Sequence, residues 1–420
     1  MQERQYIIID LKSFYASVEC AERHLNPMTT NLVVADPDRS KNTICLAVSP
    51  SLKALGVKNR CRVQDIPKAI SYITAKPRMQ LYIDYSAAIY RIYLEYVAKE
   101  DIHVYSVDEA FLDVTDYLPL YHLTARQLGQ KIMDEIWDKL CIRATCGIGT
   151  NLYLAKIALD ITAKHTPDFI GELTEESYRK TLWTHKPLTD FWRIGPGIAR
   201  RLAKYGIFDM QQVAEADEDL LYREFGVDAE LLIDHAWGRE TTTMADIHNY
   251  RSQNSSLSNG QVLMRDYNFE DGRLVVKEMT DLLCLDLVEK GLLTRSVNLM
   301  IGFANDAEPP VGGTVSLEDD TNADMLIVPA VAALYDRVVP RICAIRRINV
   351  TCNNVIPEEY QQYNLFMDTA MLEKDRKAQQ AAIALKNRFG KDAVLKGMNL
   401  LESATTRMRN HQIGGHNSGE

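Results

Sequence analysis

Two adjacent carboxylates, Asp108 and Glu109, lie between two short runs that favour β-strands, Val104–Val107 and Ala110–Val114. Neighbouring side chains in a regular strand point to opposite faces, so these two acids could not share a ligand there. We therefore predict a hairpin whose tip aims both carboxylates at one point. Two acids held in this way repel each other unless a cation lies between them. An ordinary solvated turn is the alternative, because acidic residues are common in tight turns.

The first strand supplies a third carboxylate. Residues 6 to 9 read Tyr-Ile-Ile-Ile, as expected of a strand covered on both faces, and Asp10 follows them. Ser13 is predicted to cap the helix that begins next. Asp10, Asp108 and Glu109 would then share one sheet surface, where oxygen ligands suit Mg²⁺ and one Asp can bridge two ions. Two such ions would activate an attacking oxygen and stabilise a leaving pyrophosphate.

Four stretches of the chain resemble the Y-family, lesion-bypass DNA polymerases: IIIDLKSFYASVE, VYSVDEAFLDV, GIGTNLYLAKIALDITAK and RIGPGIARRLAKYGI. They follow the family order, and residues 54–58 (ALGVK) resemble the UmuC-like branch, the catalytic subunit type of DNA polymerase V. The resemblance implies an α+β, multidomain right-hand polymerase. It also implies template-directed translesion synthesis, in which two Mg²⁺ ions assist nucleotidyl transfer from a dNTP to the primer 3′-hydroxyl. Error-prone copying within the DNA damage response would accompany this activity.

The same resemblance, together with a polar linker, divides the chain into domains. The predicted segments are the palm (1–17 and 77–170), inserted fingers (18–76), a thumb (171–243), a linker (244–258), a little finger (259–356) and a tail (357–420). The little finger is expected in the order β-α-β-β-α-β. Within the palm, Thr124 and Gln127 predict a capping box that opens a helix through Leu140. A second helix is predicted over Leu152–Lys164.

By resemblance, Asp10, Asp108 and Glu109 are the catalytic and metal-binding residues, and the Leu11 carbonyl is an additional metal ligand. The nucleotide-binding residues would be Phe14, Tyr15, Lys53 and Lys164. Tyr15 is in register with Asp10 as the steric gate, a flat ring that leaves no volume for a 2′-hydroxyl. A core tyrosine beside Phe14 is the alternative.

Two departures from the family pattern affect nucleotide binding. Pro50 stands where the family has a phosphate-binding Tyr, and Pro has no N–H or hydroxyl to donate. Ser49 and Ser51 are candidate substitutes. The family's usual spacing would place this lysine one residue closer to Asp160 than Lys164 is. The alternative is that Lys164 only provides positive charge at the C-terminus of a helix.

Residues 194 to 198 (IGPGI) resemble the turn of a helix–hairpin–helix. Gly195 and Gly197 would let the backbone approach a DNA phosphate, and the following helix offers free N–H groups. Arg200 and Arg201 would add positive charge without reading the DNA sequence. A simple Gly-Pro turn is the alternative.

After the last predicted strand, residues 362 to 366 (QYNLF) resemble the peptide that docks bacterial polymerases on the sliding clamp. Gln362, Leu365 and Phe366 are its expected contacts. The basic, helix-compatible segment Lys374–Arg409 could bind DNA, bind a protein such as an accessory damage-response subunit, or pack on the little finger. Residues 410–420 are expected to fray.

The net charge of −9 argues against a DNA partner, but the charge is uneven. Residues 37–78 hold nine Lys or Arg against two acids, and residues 374–409 hold nine against three. Residues 215–240 reverse this balance, with nine acids against two Arg. Because the local field decides where a phosphate backbone lies, primer-template DNA remains the expected partner, with dNTP as the substrate.

Composition indicates a cytoplasmic protein without a membrane partner. No apolar run approaches the roughly 20 residues that span a membrane, and no charged region followed by an apolar core marks the N-terminus. The eight cysteines are scattered without a C-x-x-C pair, which fits reduced thiols.

Two other functions compete with a polymerase. A catalytically silent, clamp-bound adaptor of the same family would have lost the carboxylates, and all three are present. A nucleotide cyclase with a related palm would explain neither the helix–hairpin–helix nor the β-α-β-β-α-β domain. Primer extension separates the three.

Overall fold

The computed structural model describes residues 4–37, 43–252, 255–304, 308–359 and 369–419. Its contacts divide the chain into two compact units, Met1–Arg251 and Ser252–Ser418. The boundary lies inside the predicted linker. None of the described helices is both long and apolar enough to cross a membrane.

The first unit contains two sheets and a helical region. Its strands are β1 (Tyr6–Leu11), β2 (Leu32–Val34), β3 (Ala47–Val48), β4 (Ile73–Ala75), β5 (Ile102–Val104), β6 (Glu109–Asp113), β7 (Ala144–Gly149) and β8 (Ile170–Leu173). Its α-helices are α1 (Phe14–Ala21), α2 (Pro50–Ala54), α3 (Met79–Leu94), α4 (Tyr117–Tyr121), α5 (Ala125–Leu140), α6 (Leu152–Ile157), α7 (Glu175–Thr181), α8 (Pro196–Ala203), α9 (Met210–Ala214), α10 (Glu218–Phe225), α11 (Asp228–Trp237) and α12 (Met244–Asn249).

The hairpin that carries Asp108 and Glu109 shares a five-stranded sheet with the first strand, in the order β5-β6-β1-β7-β8. β1 is central, and its three isoleucines are fully buried, as an apolar run covered on both faces requires. Thr124 and Gln127 form the predicted capping box at the start of α5. Ser13 is not the predicted cap of α1, because it adopts a left-handed backbone (φ 50°) and its side chain makes no capping hydrogen bond.

The segment inserted between α1 and α3 forms its own small sheet, in the order β3-β2-β4. Its core consists of small apolar residues, including Val33, Val48 and Leu52. The helical region 174–238 shares a core with α6, in which Tyr153, Tyr178 and Phe191 are fully or almost fully buried.

The first part of the predicted linker is folded. Thr243 and Asp246 form a capping box that opens α12, and Met244 is buried against the palm core beside Tyr6 and Phe111. An apolar residue at the start of a capped helix therefore outweighs the polar composition of residues 244–249.

The second unit begins with the predicted β-α-β-β-α-β order. Its elements are β9 (Leu257–Tyr267), α13 (Phe269–Lys290), β10 (Leu292–Phe303), β11 (Val311–Thr321), α14 (Asp324–Val338), β12 (Ile345–Asn353), β13 (Ile356–Pro357), α15 (Thr369–Phe389), α16 (Thr406–Asn410), β14 (Gln412–Ile413) and β15 (His416–Asn417). The main sheet has the order β11-β10-β12-β9.

The C-terminal segment packs on this second unit, as one of the three alternatives for Lys374–Arg409 expects. Asn399 and Thr405 hydrogen-bond the carboxylate of Glu278, which is fully buried on α13. Lys396 pairs with both Asp281 and Asp324. Beyond α16 the chain forms the β14–β15 hairpin rather than a frayed end, because two glycines with positive φ, at 414 and 415, close a two-residue turn.

Candidate active site

Asp10 and Glu109 face each other across the centre of the five-stranded sheet. β1 and β6 pair antiparallel, with Asp10 directly opposite Glu109. Asp108 immediately precedes β6, and its carbonyl oxygen accepts a hydrogen bond from the Leu11 N–H at 3.0 Å. The turn closes with a hydrogen bond from the Ser106 N–H to the Glu109 carbonyl at 3.1 Å. The structure therefore brings the three predicted carboxylates and Leu11 together.

Burial and the neighbouring carboxylates disfavour the ionised form of Asp10. Burial raises the pKa of the Asp10 carboxyl well above its ordinary value, and a hydrogen bond with Glu109 and the charges of Glu109 and Asp108 raise it further. The charge of Lys156 acts in the opposite direction. A concentration of acidic oxygens of this kind is suited to a hard divalent cation.

Three contacts hold the carboxylates in place in the described chain, and one of them is the hydrogen bond from Thr145 Oγ1 to Asp10 Oδ1 at 3.4 Å. Ser106 Oγ donates to Asp108 Oδ1 at 2.6 Å, and Lys156 Nζ donates to Glu109 Oε1 at 2.8 Å. Among the described residues, no three His, Cys, Asp or Glu side chains form a ready-made metal site. The chemistry of the donor set fits a divalent cation, and the cation would share these carboxylates with Ser106 and Lys156.

Three lysines lie close enough to this cluster to affect one another electrostatically. Burial lowers the pKa of Lys53, and the charge of Lys164 lowers it further, whereas Asp10 and Asp108 raise it. Burial likewise lowers the pKa of Lys12, which Asp10 raises and the other two lysines lower. Lys53 and Lys164 thus occupy one basic region beside the acids, as a triphosphate site requires. Lys12 is an addition that the sequence analysis missed, although it lies two residues after Asp10.

Tyr15 and Phe14 have different surroundings. Phe14 is buried in the core, whereas Tyr15 is only partly buried and stacks on Tyr82, with ring centroids 4.5 Å apart and planes inclined by 15°. Burial raises the pKa of the Tyr15 phenol, and the charge of Asp108 raises it further, which places this ring near the carboxylates. The Tyr82 hydroxyl donates to Glu19 at 2.9 Å, so the supporting ring is itself fixed.

Pro50 is the first residue of α2, a position where its fixed φ and missing N–H carry no cost. Neither serine beside it is suited to replace the lost phosphate contact. Ser49 is fully buried and caps α2 by accepting from the Leu52 N–H. Ser51 Oγ donates to Asn31 Oδ1 at 2.6 Å.

The predicted helix–hairpin–helix turn is exposed at the start of α8. A Cβ added to Gly195 or Gly197 would meet no protein atom within 4 Å, so internal packing does not require glycine at either position. Arg200 is exposed, but Arg201 is committed to its own domain. Its guanidinium donates to the Glu224 carbonyl at 2.8 Å and lies 4.3 Å from the Phe225 ring centroid.

The predicted clamp contacts, Gln362, Leu365 and Phe366, lie outside the described residues. Besides Lys12, the sequence analysis missed Tyr82 and Lys156 as neighbours of the site. Tyr82 is a fully buried residue of α3, so its sequence context indicates a core position and nothing more. Lys156 lies in a motif that carried the resemblance, but its contact with Glu109 spans 47 positions and has no local signal.

Comparison with known proteins agrees with this geometry. The impB/mucB/samB family matches residues 9–160, and the C-terminal domain of the same family matches residues 254–365. DNA polymerase IV 2 of Bacillus subtilis (strain 168) is 30% identical and covers 99% of both chains. UvrX of the same strain, which is named as a UV-damage repair protein, is 29% identical over 99% of this chain and 98% of its own.

A solved structure gives the same fold. A chimera of the Y-family DNA polymerases Dbh and Dpo4 aligns with a TM-score of 0.63, covering 84% of this chain and 99% of its own at 20% identity. The right-hand architecture expected from the sequence is therefore confirmed. The chain belongs to the impB/mucB/samB family and is a UmuC-like member of the Y-family DNA polymerases.

Proposed function

We propose that this protein extends a DNA primer past damaged template bases, using dNTPs and two Mg²⁺ ions. The observation that carries the proposal is the pairing of Asp10 with Glu109 beside Asp108, next to the basic region formed by Lys53 and Lys164. Carboxylates beside ammonium groups suit a reaction in which a metal-bound triphosphate is attacked.

The carboxylates of Asp10, Asp108 and Glu109 would hold the ions, together with the Leu11 carbonyl. When bound, divalent ions lower the pKa of the primer 3′-hydroxyl and stabilise the charge of the departing pyrophosphate. The protein's own contribution is to fix these oxygens at the ends of paired strands, so that little reorganisation is needed during the reaction.

Lys53 and Lys164 would bind the triphosphate, and Lys12 would add a third positive charge to it. This added charge offsets the phosphate contact that Pro50 cannot make. Tyr15, supported by Tyr82, would lie under the sugar and exclude a 2′-hydroxyl. Phe14 would contribute by packing behind Tyr15, since the two ring centroids are 5.8 Å apart.

The exposed turn at Gly195 and Gly197 would bind a phosphate of the DNA through the N–H groups at the start of α8. Arg200 would add charge there. The empty space around both glycines supports this role, because a phosphate can approach the backbone closely. We also assign Gln362, Leu365 and Phe366 to the bacterial sliding clamp, and a cytoplasmic location follows from these partners.

Lesion bypass is supported by the full-length likeness to UvrX, which is named for UV-damage repair. The test is primer extension by the purified protein with dNTPs and Mg²⁺, on one undamaged template and on templates that each carry one lesion. Extension across at least one lesion supports the proposal. If extension stops before every lesion, the protein is a polymerase that does not bypass these lesions. If no template is extended, the whole proposal is contradicted.

A further inference from the structure

A line of alternating charges runs from Glu109 to Lys164. Lys156 Nζ lies 2.8 Å from Glu109 Oε1 and 3.2 Å from Asp160 Oδ2. Asp160 Oδ1 in turn lies 3.5 Å from Lys164 Nζ. The line thus begins at a carboxylate of the candidate metal site and ends at a lysine of the candidate triphosphate site.

The two inner side chains of this line are more buried than the two outer ones. Lys156 is 7% exposed and Glu109 14%, whereas Asp160 is 25% and Lys164 55% exposed. A buried ammonium group must be paired, and the two carboxylates beside Lys156 meet that need. The inner end is therefore held by strong contacts in a low-dielectric environment, while Lys164 remains accessible to a ligand.

The helix that carries Lys156 lies unusually close to the sheet. Gly147 and Gly149 on β7 allow this approach, because an added Cβ would lie 2.2 Å from the Ala155 carbonyl oxygen or the Ala155 nitrogen. Lys156 is the next residue, so the same close packing fixes its backbone beside Glu109.

A π-helical turn, Ala158–Thr162, follows α6 and contains Asp160. An inserted residue in a regular α-helix would rotate everything after it by about 100°. A π-turn absorbs the extra residue locally. This accounts for the unusual spacing of Lys164, which still pairs with Asp160, and Asp160 still pairs with Lys156.

We propose that Lys156 and Asp160 are positioning residues for nucleotidyl transfer, which extends the proposed function and rests on it. Lys156 fixes the carboxylate of Glu109, and Asp160 fixes the ammonium group of Lys164. Neither residue needs to touch the substrate. The two roles predict different kinetic defects, because Glu109 acts at the reacting centre and Lys164 acts on the bound triphosphate.

The test compares the parent with Lys156→Met, Lys156→Arg and Asp160→Asn in single-nucleotide extension of an undamaged primer-template. The burst amplitude counts active sites, so kcat is expressed per competent enzyme. Lys156→Met should lower kcat about tenfold or more with little change in KM for dNTP, and Lys156→Arg should recover part of the loss. Asp160→Asn should instead raise KM for dNTP roughly three- to tenfold.

A second readout avoids catalysis. With a dideoxy-terminated primer, Asp160→Asn should weaken equilibrium dNTP binding by the same factor as its KM rises, whereas Lys156→Met should leave that affinity near the parental value. This measurement also decides the matter if Lys156→Met fails to fold, because Asp160→Asn keeps the Lys156–Glu109 pair.

Three results would overturn the proposal while the parent still extends primers. The first is that Lys156→Met has the same kcat as the parent. The second is that Asp160→Asn binds dNTP as tightly as the parent does. The third is that both variants lose kcat and dNTP affinity equally, in proportion to a fall in their melting temperature. The last result would make the line of charges purely a stabiliser of the palm. If the parent extends no primer, the proposed function fails together with this inference.

Discussion

The Tyr15 ring stacks on Tyr82 with a centroid distance of 4.5 Å, and the Tyr82 hydroxyl is tied to the buried carboxylate of Glu19. Arg78 also donates to Glu19, through Nε and a terminal nitrogen at 2.9 Å each. A gate against a 2′-hydroxyl works only if the ring cannot move aside, since a small steric clash is easily relieved by motion. The stack and its hydrogen bond supply that rigidity from α1 and α3.

Tyr15→Ala should therefore raise the ratio of ribonucleotide to deoxyribonucleotide incorporation, by roughly 10- to 100-fold. The measurement is single-nucleotide insertion of rNTP and dNTP opposite the same template base. Tyr82→Phe keeps the ring under Tyr15 but removes its hydrogen bond to Glu19, so it should raise the ratio by a smaller factor than Tyr15→Ala does. An unchanged ratio in Tyr15→Ala would mean that Tyr15 is only a core residue.

Asp108→Asn should lower the extension rate by roughly 100-fold or more, which corresponds to about 3 kcal/mol of transition-state stabilisation. The substitution keeps the shape of the side chain and removes the charge of one candidate ligand. DNA binding, measured separately by fluorescence anisotropy, should stay near the parental value. Asp84→Asn, on the exposed face of α3, is the control. Clear extension by Asp108→Asn would show that Asp108 is not an essential metal ligand.

Apolar runs and the alternation of apolar and polar residues predicted most of the fold. They do so because the buried positions of a strand or helix repeat with the period of that element. β1, β6 and the second unit's β-α-β-β-α-β order were read in this way. Contacts between distant segments carry no such period. The pairing of Lys156 with Glu109 and the packing of Arg201 against Glu224 depend on where whole elements meet.

Some local features were also missed, each for a physical reason. Ser13 is a good capping residue by type, but its backbone is left-handed instead of extended, and its side chain makes no capping hydrogen bond. The π-turn at Ala158–Thr162 has no sequence signal beyond the unusual spacing of Lys164. The terminal hairpin did have one, since two adjacent glycines favour a two-residue turn.

Arg200 and Arg201 provide a matched pair of variants on α8. Arg200→Ala should reduce the slope of log affinity against log salt by about 0.9, the value for one phosphate contact, equally for all DNA sequences. Arg201→Ala should instead destabilise the thumb by about 1–2 kcal/mol, because it loses a hydrogen bond to a backbone carbonyl. DNA titrations at several salt concentrations and thermal unfolding measure the two effects. The assignment fails if Arg201→Ala changes the salt slope and leaves stability unaltered.

Leu365→Ala combined with Phe366→Ala should abolish stimulation of extension by the bacterial sliding clamp. Burying each of these side chains in an apolar pocket is worth roughly 1.5–3 kcal/mol before ordering costs, which suits a weak, exchangeable contact. Asn364→Ala, at the position just before Leu365, should keep the stimulation. A lower melting temperature with intact clamp binding would show that the two apolar residues stabilise the fold instead.

Glu240 should stabilise the thumb in a pH-dependent manner, because its carboxylate has two hydrogen-bond partners. One carboxylate oxygen lies 3.1 Å from His235 Nε2, and the other accepts from the Thr242 N–H at 2.9 Å. Burial alone would raise the pKa of Glu240, but the hydrogen bonds from His235 and Thr242 outweigh it and lower the pKa from 4.5 to about 2. The His235 ring is itself stacked on Tyr153, with centroids 3.9 Å apart. The Glu240 carboxylate therefore fixes a ring that lies in the core of the thumb.

A carboxylate whose folded-state pKa is depressed contributes stability that is complete above its unfolded pKa and is lost as pH falls toward its folded pKa. For Glu240 this window runs from about pH 4.5 down to about pH 2. A shift of this size corresponds to roughly 3 kcal/mol, at 1.36 kcal/mol per unit. Denaturant unfolding of the parent and Glu240→Gln should therefore differ most at neutral pH, and the gap should shrink steadily between these two limits. A gap that stays constant from pH 6 to pH 3 would show that the ionised carboxylate adds nothing beyond what an amide supplies.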